Sequence, residues 1–221
     1  MSDAIWLLHG VLMSRSAHAG LLKGELGAIC SAAPRSLLDK AQAGLLRDLA
    51  LRHHERLSVV ARRTDIAPAR FGTAFPSREA LRSHLASSGP VWREALGRVR
   101  GGVEFSLGFS LPVETVSGDP EAAEGYLRRR KDAMEAKQAI ADRVRETGER
   151  IASTLSRLAM AAMPPRLGKG GALGEITVLV ARAEANAFVE RVASIGHGLS
   201  ARPSITVKGP WPPYSFATVG D

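Results

Sequence analysis

Val103-Glu104-Phe105-Ser106-Leu107-Gly108-Phe109-Ser110-Leu111 alternates apolar residues with small or polar ones. Period-two alternation reads as a strand with one buried face. Upstream, Pro90 opens a helix that carries Trp92, Leu96 and Val99, and Gly101-Gly102 breaks it. Before that, Ser77 caps a short helix from Arg78 to about Ser87 with Leu81 and Leu85 facing in. Downstream, residues 121–163 keep a helical period, with Gly148 offering a break. Leu127, Met134, Ile140, Val144, Ile151, Leu155 and Leu158 mark its buried stripe, and Pro164-Pro165 stops it. The Glu175–Ala181 run is β-branched and reads as a buried strand, followed by a helix from about Glu184 to Ile195 and a last strand at Ser204–Val207.

The N-terminal half follows the same grammar. Residues 4–13 read as a strand and 24–31 as a weaker second one. Ala41–Arg63 is a helix whose stripe is Leu46, Leu49, His53, Leu57 and Val60. His53 lies on that stripe and His54 about 100° around it, so one helix cannot turn both toward one metal. His54-Glu55-Arg56-Leu57-Ser58 also fails the HExxH zinc pattern at its last position, which leaves packed or half-exposed histidines. Residues 64–76, with Pro68 and Pro76, read as extended or looped. The chain is therefore expected to be α+β, in two blocks, 1–100 and 101–221.

Composition narrows the function. Of 221 residues, 45% are apolar and 24% charged, the balance of a chain that buries a core. No apolar run approaches the roughly 20 residues of a membrane helix. The single cysteine, Cys30, excludes an internal disulfide and fits a reducing cytoplasm. The net charge is +8, with 15 basic against 8 acidic residues in 1–100 and 15 against 14 in 101–221. That excess keeps a nucleic-acid-binding module using the N-terminal half as the alternative. The arginines are dispersed, however, without interleaved aromatics. The basic cluster Arg128–Lys131 is diluted by Glu121, Glu124, Asp132 and Glu135 and reads as a solvated helix face.

Catalytic signatures are missing. The Gly168–Gly174 loop departs from Walker A, because Met163 stands where a glycine is required and Gly170 follows Lys169; it also departs from GxGxxG at Leu173. Cys30 has no local activator. No enzyme, cofactor, metal or small-molecule substrate is expected.

The most specific segment is Gly209-Pro210-Trp211-Pro212-Pro213-Tyr214-Ser215-Phe216. Three prolines remove backbone donors, so the segment is not expected to continue a strand. Its rings either fold back to close the core of the second block or present a stiff aromatic surface to a partner. This ending resembles the C-terminal motif of the gas vesicle accessory protein L/F (GvpL/GvpF) family. Ala67-Pro68-Ala69-Arg70-Phe71-Gly72-Thr73 resembles that family's P-x-R-F-G-T segment, with alanines where larger apolar residues are usual. His53-His54-Glu55, Val103-Glu104-Phe105 and Gly125-Tyr126-Leu127-Arg128-Arg129-Arg130 follow in family order, so the landmarks span 53–216.

The resemblance implies two α+β domains of ferredoxin-like character joined by a helix-rich segment. It also implies a non-enzymatic cytoplasmic gas vesicle protein. Such a protein would be an assembly factor binding the hydrophobic shell subunit and other accessory proteins, with no membrane and no nucleic acid. Arg70, Phe71 and Gly72 are then structural anchors, with Arg70 expected to pair with Glu104 and Gly72 to need either a positive φ or a close backbone approach. Gly209, Pro210, Trp211, Pro212, Pro213, Tyr214 and Phe216 form the tail motif, structural or partner-binding.

Overall fold

A computed structural model describes residues 4–13, 21–36, 43–112, 126–168, 172–195, 198–199 and 202–217. The chain is α+β and divides into two compact units, Met1–Glu104 with Pro210–Asp221, and Phe105–Gly209. The sequence placed the tail with the second block. In the structure it returns to the first, where Pro212, Pro213 and Ala217 are buried.

In the first unit, β1 (Ala4–Met13) is the hub of a five-stranded sheet. On one side it pairs antiparallel with β3 (Leu26–Pro34), which carries β2 (Leu21–Lys23) beyond it. On the other side it pairs with two fragments, β4 (Ala67–Pro68) and β5 (Ala74–Phe75). The β1–β3 register slips between Leu8 and Gly10, so His9 sits at a bulge. Bulges re-aim a side chain, and here that side chain is a histidine.

Helix α1 (Ala43–Ala61) packs on this sheet through Leu57 and Val60, joining Leu12, Ile29 and Ile66 in one cluster. Gly10 makes the approach possible: a Cβ there would lie 2.9 Å from Leu57 Cδ2 and 3.0 Å from the Ala67 carbonyl oxygen. The expected stripe is buried only in its second half, since Leu46 is 43% exposed. Leu46 and Leu49 instead line a groove described below.

Helices α2 (Arg78–Ser87) and α3 (Gly89–Arg98) close the other cluster with Leu81, Leu85, Trp92, Leu96 and Val99. Ser77 caps α2 as the sequence predicts, its hydroxyl accepting from Ala80 N at 3.1 Å.

The second unit holds most of β6 (Gly102–Ser110), β9 (Leu173–Ala181), β7 (Ala161–Ala162), β8 (Arg166–Leu167) and β10 (Ser204–Trp211), in the order β10-β6-β9-β7 with β8 also on β9. Phe105 packs against Phe188 of α5 (Ala185–Ile195), with ring centroids 5.1 Å apart. Helix α4 (Tyr126–Leu155) buries Val144, Ile151 and Leu155.

Three expectations fail in this unit. The long helix ends at Leu155, eight residues short of Met163, because Met160 and Met163 donate to Leu179 and Thr177 of β9 and the chain enters the sheet. Met134 is 65% exposed, and the described side chains from Arg128 to Ala139 are all exposed, so no apolar face is buried there. Gly148 breaks nothing. It is a close-approach point, where a Cβ would sit 2.8 Å from the Phe109 ring.

The strand β10 also runs on through Gly209-Pro210-Trp211, against the expectation that the prolines would stop it. It is the terminal strand of its sheet, where a missing N–H need leave no ladder bond unmade. Lys169 and Gly170 of the glycine loop, Glu121, Glu124 and Gly125 lie outside the described residues.

Candidate functional site

The two motifs singled out in the sequence meet on the histidines of α1, within the first unit. Arg70, Phe71, Gly72 and Thr73 form a tight turn, Thr73 N donating to Arg70 O at 3.1 Å and the Thr73 hydroxyl to the same oxygen at 2.8 Å. Gly72 has φ +90°, as a type II turn requires at its third position. The loop spans the gap between β4 and β5, tied to the bulge of β1 by Ala69 N to His9 O (2.8 Å) and Leu8 N to Thr73 O (2.9 Å). Phe71 is thereby set with its ring edge-on to His53, centroids 5.6 Å apart. Arg70 is exposed.

The tail arrives from the other end of the chain. The Tyr214 ring stacks at 6.5 Å on His53 and 6.0 Å on His54. His54 bridges two hydroxyls, Tyr214 at Nδ1 (3.0 Å) and Ser58 at Nε2 (3.2 Å), and its ring meets Trp211 at 5.0 Å. Burial pushes the Tyr214 phenol up to about 12, with the Glu104 charge adding to it, so it stays a neutral hydroxyl. Phe216 packs against the cluster of α2 and α3, and its carbonyl accepts from Arg98 Nε at 3.4 Å. Gly209 (φ +135°) and Pro210 are exposed.

Glu104, the carboxylate offered to Arg70 by the sequence, is held by Ser215. Ser215 N donates to Oε2 at 2.7 Å and the Ser215 hydroxyl to Oε1 at 3.0 Å. Burial raises the Glu104 pKa, and these two bonds pull it part of the way back.

His9, which the sequence did not single out, completes the cluster. Its Nε2 accepts from Arg56 Nη1 at 3.3 Å and lies 2.9 Å from the Ser31 hydroxyl, while its Nδ1 is 3.0 Å from His53 Nδ1. Arginine only donates, so His9 Nε2 is the acceptor and its proton sits on Nδ1. That proton is donated to His53 Nδ1, which leaves the His53 proton on Nε2. This nitrogen is buried without an acceptor in bonding geometry. Burial, then the neighbouring His53 and Arg56, lower His9 to about 4. His53 is lowered by burial and by His54, with the Ala69 backbone opposing. Both rings are therefore neutral at pH 7.

Ser31, His9 and His53 have the connectivity of a nucleophile, base and orienting group. The chemistry does not follow. A base near 4 is far from the neutral range where general bases work, and Arg56 occupies the lone pair that would take the serine proton. Among the described residues no group of three His, Cys, Asp or Glu is placed to hold a metal ion. Cys30 is half-buried, and burial raises its thiol pKa.

Beside this cluster opens a groove of about 460 Å³. Leu45, Leu46, Leu49 and Phe71 form apolar walls, His9, His53 and Ser31 lie at its polar side, and Asp48, Arg52 and Arg56 line it from α1.

Residues 20–218 match the model of a family described as gas vesicle synthesis protein GvpL/GvpF. Gas vesicle protein L of Streptomyces sp. (strain CB03234) is 28% identical over 226 aligned positions, covering 91% of this chain and 83% of that protein. The crystal structure of gas vesicle protein GvpF from Anabaena sp. PCC7120 superposes with a TM-score of 0.71 at 17% identity, covering 99% of this chain and 98% of the other. GvpF from Microcystis aeruginosa gives 0.65 at 16%, covering 98% and 100%. At such identities the two crystal structures speak to the fold.

Proposed function

Because this chain belongs to the gas vesicle synthesis protein GvpL/GvpF family, we propose that it is a non-enzymatic assembly factor that binds the hydrophobic shell subunit, together with other accessory proteins, while the vesicle wall is built. It works in the cytoplasm and at the vesicle. Among the described residues no helix is long and apolar enough to cross a membrane.

The observation that carries this reading is the apolar surface of the first unit. Leu45, Leu46, Leu51 and Val59 of α1 and Phe71 are between 38% and 59% exposed. Scattered apolar side chains such as Leu51 and Val59 are ordinary on a protein surface; Leu45, Leu46 and Phe71, which line one groove, offer a site for another chain. A subunit that must present a water-repelling face in the finished wall is prone to aggregate before assembly. A soluble partner that covers that face needs apolar contact area and no chemistry. The hydrogen-bonded pair His9–His53 fits such a role, since burial lowers both pKa values and favours uncharged rings beside the groove.

The test is co-expression with tagged shell subunit, followed by deletion of the gene. Recovery of this protein with the shell subunit, and fewer or misshapen vesicles on deletion, are expected. No recovery, with vesicles normal in number and shape, overturns the reading.

A further inference from the structure

The groove on the first unit carries a charge pattern that its apolar walls do not need. Arg52 and Arg56 stand one helical turn apart on α1 and both line it. Neither forms an ion pair with a carboxylate among the described residues, although Asp48 lines the same groove one turn earlier. Arg56 is also aimed. One of its five N–H groups goes to His9 Nε2 at 3.3 Å, and the residue lines the groove, so the bond fixes where the guanidinium sits while leaving donors over for a ligand. His9 is itself held by Ser31 and His53 and by its place at the bulge of β1, so the guanidinium rests on a fixed support.

We propose that this groove is the docking site for an apolar peptide segment of the shell subunit that carries an Asp or Glu side chain, the carboxylate bridging Arg52 and Arg56 while the apolar residues cover Leu45, Leu46, Leu49 and Phe71. This rests on the assembly reading above and names the surface that serves it. Three features of the groove select such an occupant. Among the described lining residues two arginines against one aspartate leave a positive surplus, and a carboxylate fits an arginine fork with two parallel bonds. The walls reward apolar contact, so a purely ionic ligand would leave most of the surface unused. The support under Arg56 is pre-built, which lowers the ordering cost of binding.

The experiment measures recovery of co-expressed, tagged shell subunit by four versions of the full chain. These are the wild type, Arg52→Ala/Arg56→Ala, Leu46→Asp, and Arg128→Ala/Arg130→Ala, which removes two equally exposed charges from α4. Thermal melts confirm that all four fold. The groove variants are expected to recover about tenfold less shell subunit, with the α4 variant matching the wild type. Raising the salt should weaken the wild type and leave Arg52→Ala/Arg56→Ala nearly unchanged. Alanine replacement of the acidic residues of the shell subunit, one at a time, should find one whose loss is not additive with Arg52→Ala/Arg56→Ala. If the groove variants recover as much as the wild type, the groove proposal falls and the assembly reading stands. If the wild type recovers none, the groove proposal falls, and the assembly reading falls with it when deletion also leaves the vesicles normal.

Discussion

Gly10 is a point where one added methyl group should be measurable. It pairs with Ile29 on one side of β1 and Pro68 on the other, directly after the bulge at His9. A Cβ there would lie 2.9 Å from Leu57 Cδ2, 3.0 Å from Ile66 Cδ1 and 3.0 Å from the Ala67 carbonyl oxygen. Leu57 and Ile66 are buried to 0% and 1% exposure, so neither has room to swing aside, and the third neighbour is backbone. Overpacking of this kind costs about 1–3 kcal/mol. Alanine recovers about 0.4–1 kcal/mol by restricting the unfolded chain. Gly10→Ala should therefore lose about 1–2 kcal/mol, a fall in Tm of about 2–8 °C for a chain of this length. Gly97→Ala is the opposite case, because Gly97 is an exposed residue of α3 with nothing within 4 Å of an added Cβ. It should gain about 0.5–1 kcal/mol. Calorimetry or circular dichroism melts of both variants give the answer, and a Gly10→Ala protein melting at or above the wild type refutes the packing argument.

Three further outcomes follow from single contacts. Tyr214→Phe removes the hydroxyl at His54 Nδ1 and should cost about 1 kcal/mol, read as an earlier urea midpoint at unchanged slope; an unmoved midpoint means the contact adds nothing. Ser77→Ala removes the cap of α2 and should cost about 1 kcal/mol, whereas Ser77→Asp should retain most of it. The third outcome concerns pH. His9 titrates near 4 in the folded chain against 6.5 when unfolded, so the unfolded state binds the extra proton between them. That contribution is complete above about 6.5 and is lost as pH falls toward 4. Glu104 acts in the opposite sense: its folded pKa is raised, so its contribution declines as pH climbs above 4.5. His9→Gln should thus flatten the loss of Tm between pH 6.5 and pH 4, and parallel wild-type and variant curves would count against the His9 assignment.

Local signals carried most of the fold. The apolar stretch of strand length at residues 4–13, the Ser77 cap, Pro90 at the start of α3 and the Gly101-Gly102 break are all short-range, and the structure shows each where the sequence puts it. The end of α4 was hidden because Leu158 continues the helical period, while the chain leaves the helix to pair with β9, a partner far along the sequence. Pro210 argued against a strand because the rule for proline depends on whether the strand is at an edge, and edge position is a property of the sheet.

The site was half legible. His53 and His54 read as packed or half-exposed histidines, and of the two roles offered for Gly72, a positive φ or a close backbone approach, the structure shows the first. His9 was passed over, because the bulge is set by the pairing of β1 with β3 and leaves no pattern of its own in residues 4–13. Ser215 as the partner of Glu104 joins residues 111 positions apart and left no mark in either neighbourhood.

The return of the tail sets an order of events for the growing chain. His54 receives Tyr214 only after a further 160 residues have been made, and Glu104 must likewise await Ser215. The whole of Phe105–Gly209 leaves the ribosome in the interval and is free to fold first. The unit begun earliest is thus finished last, and a protein truncated before Trp211 would leave His54 without Tyr214 and Glu104 without Ser215.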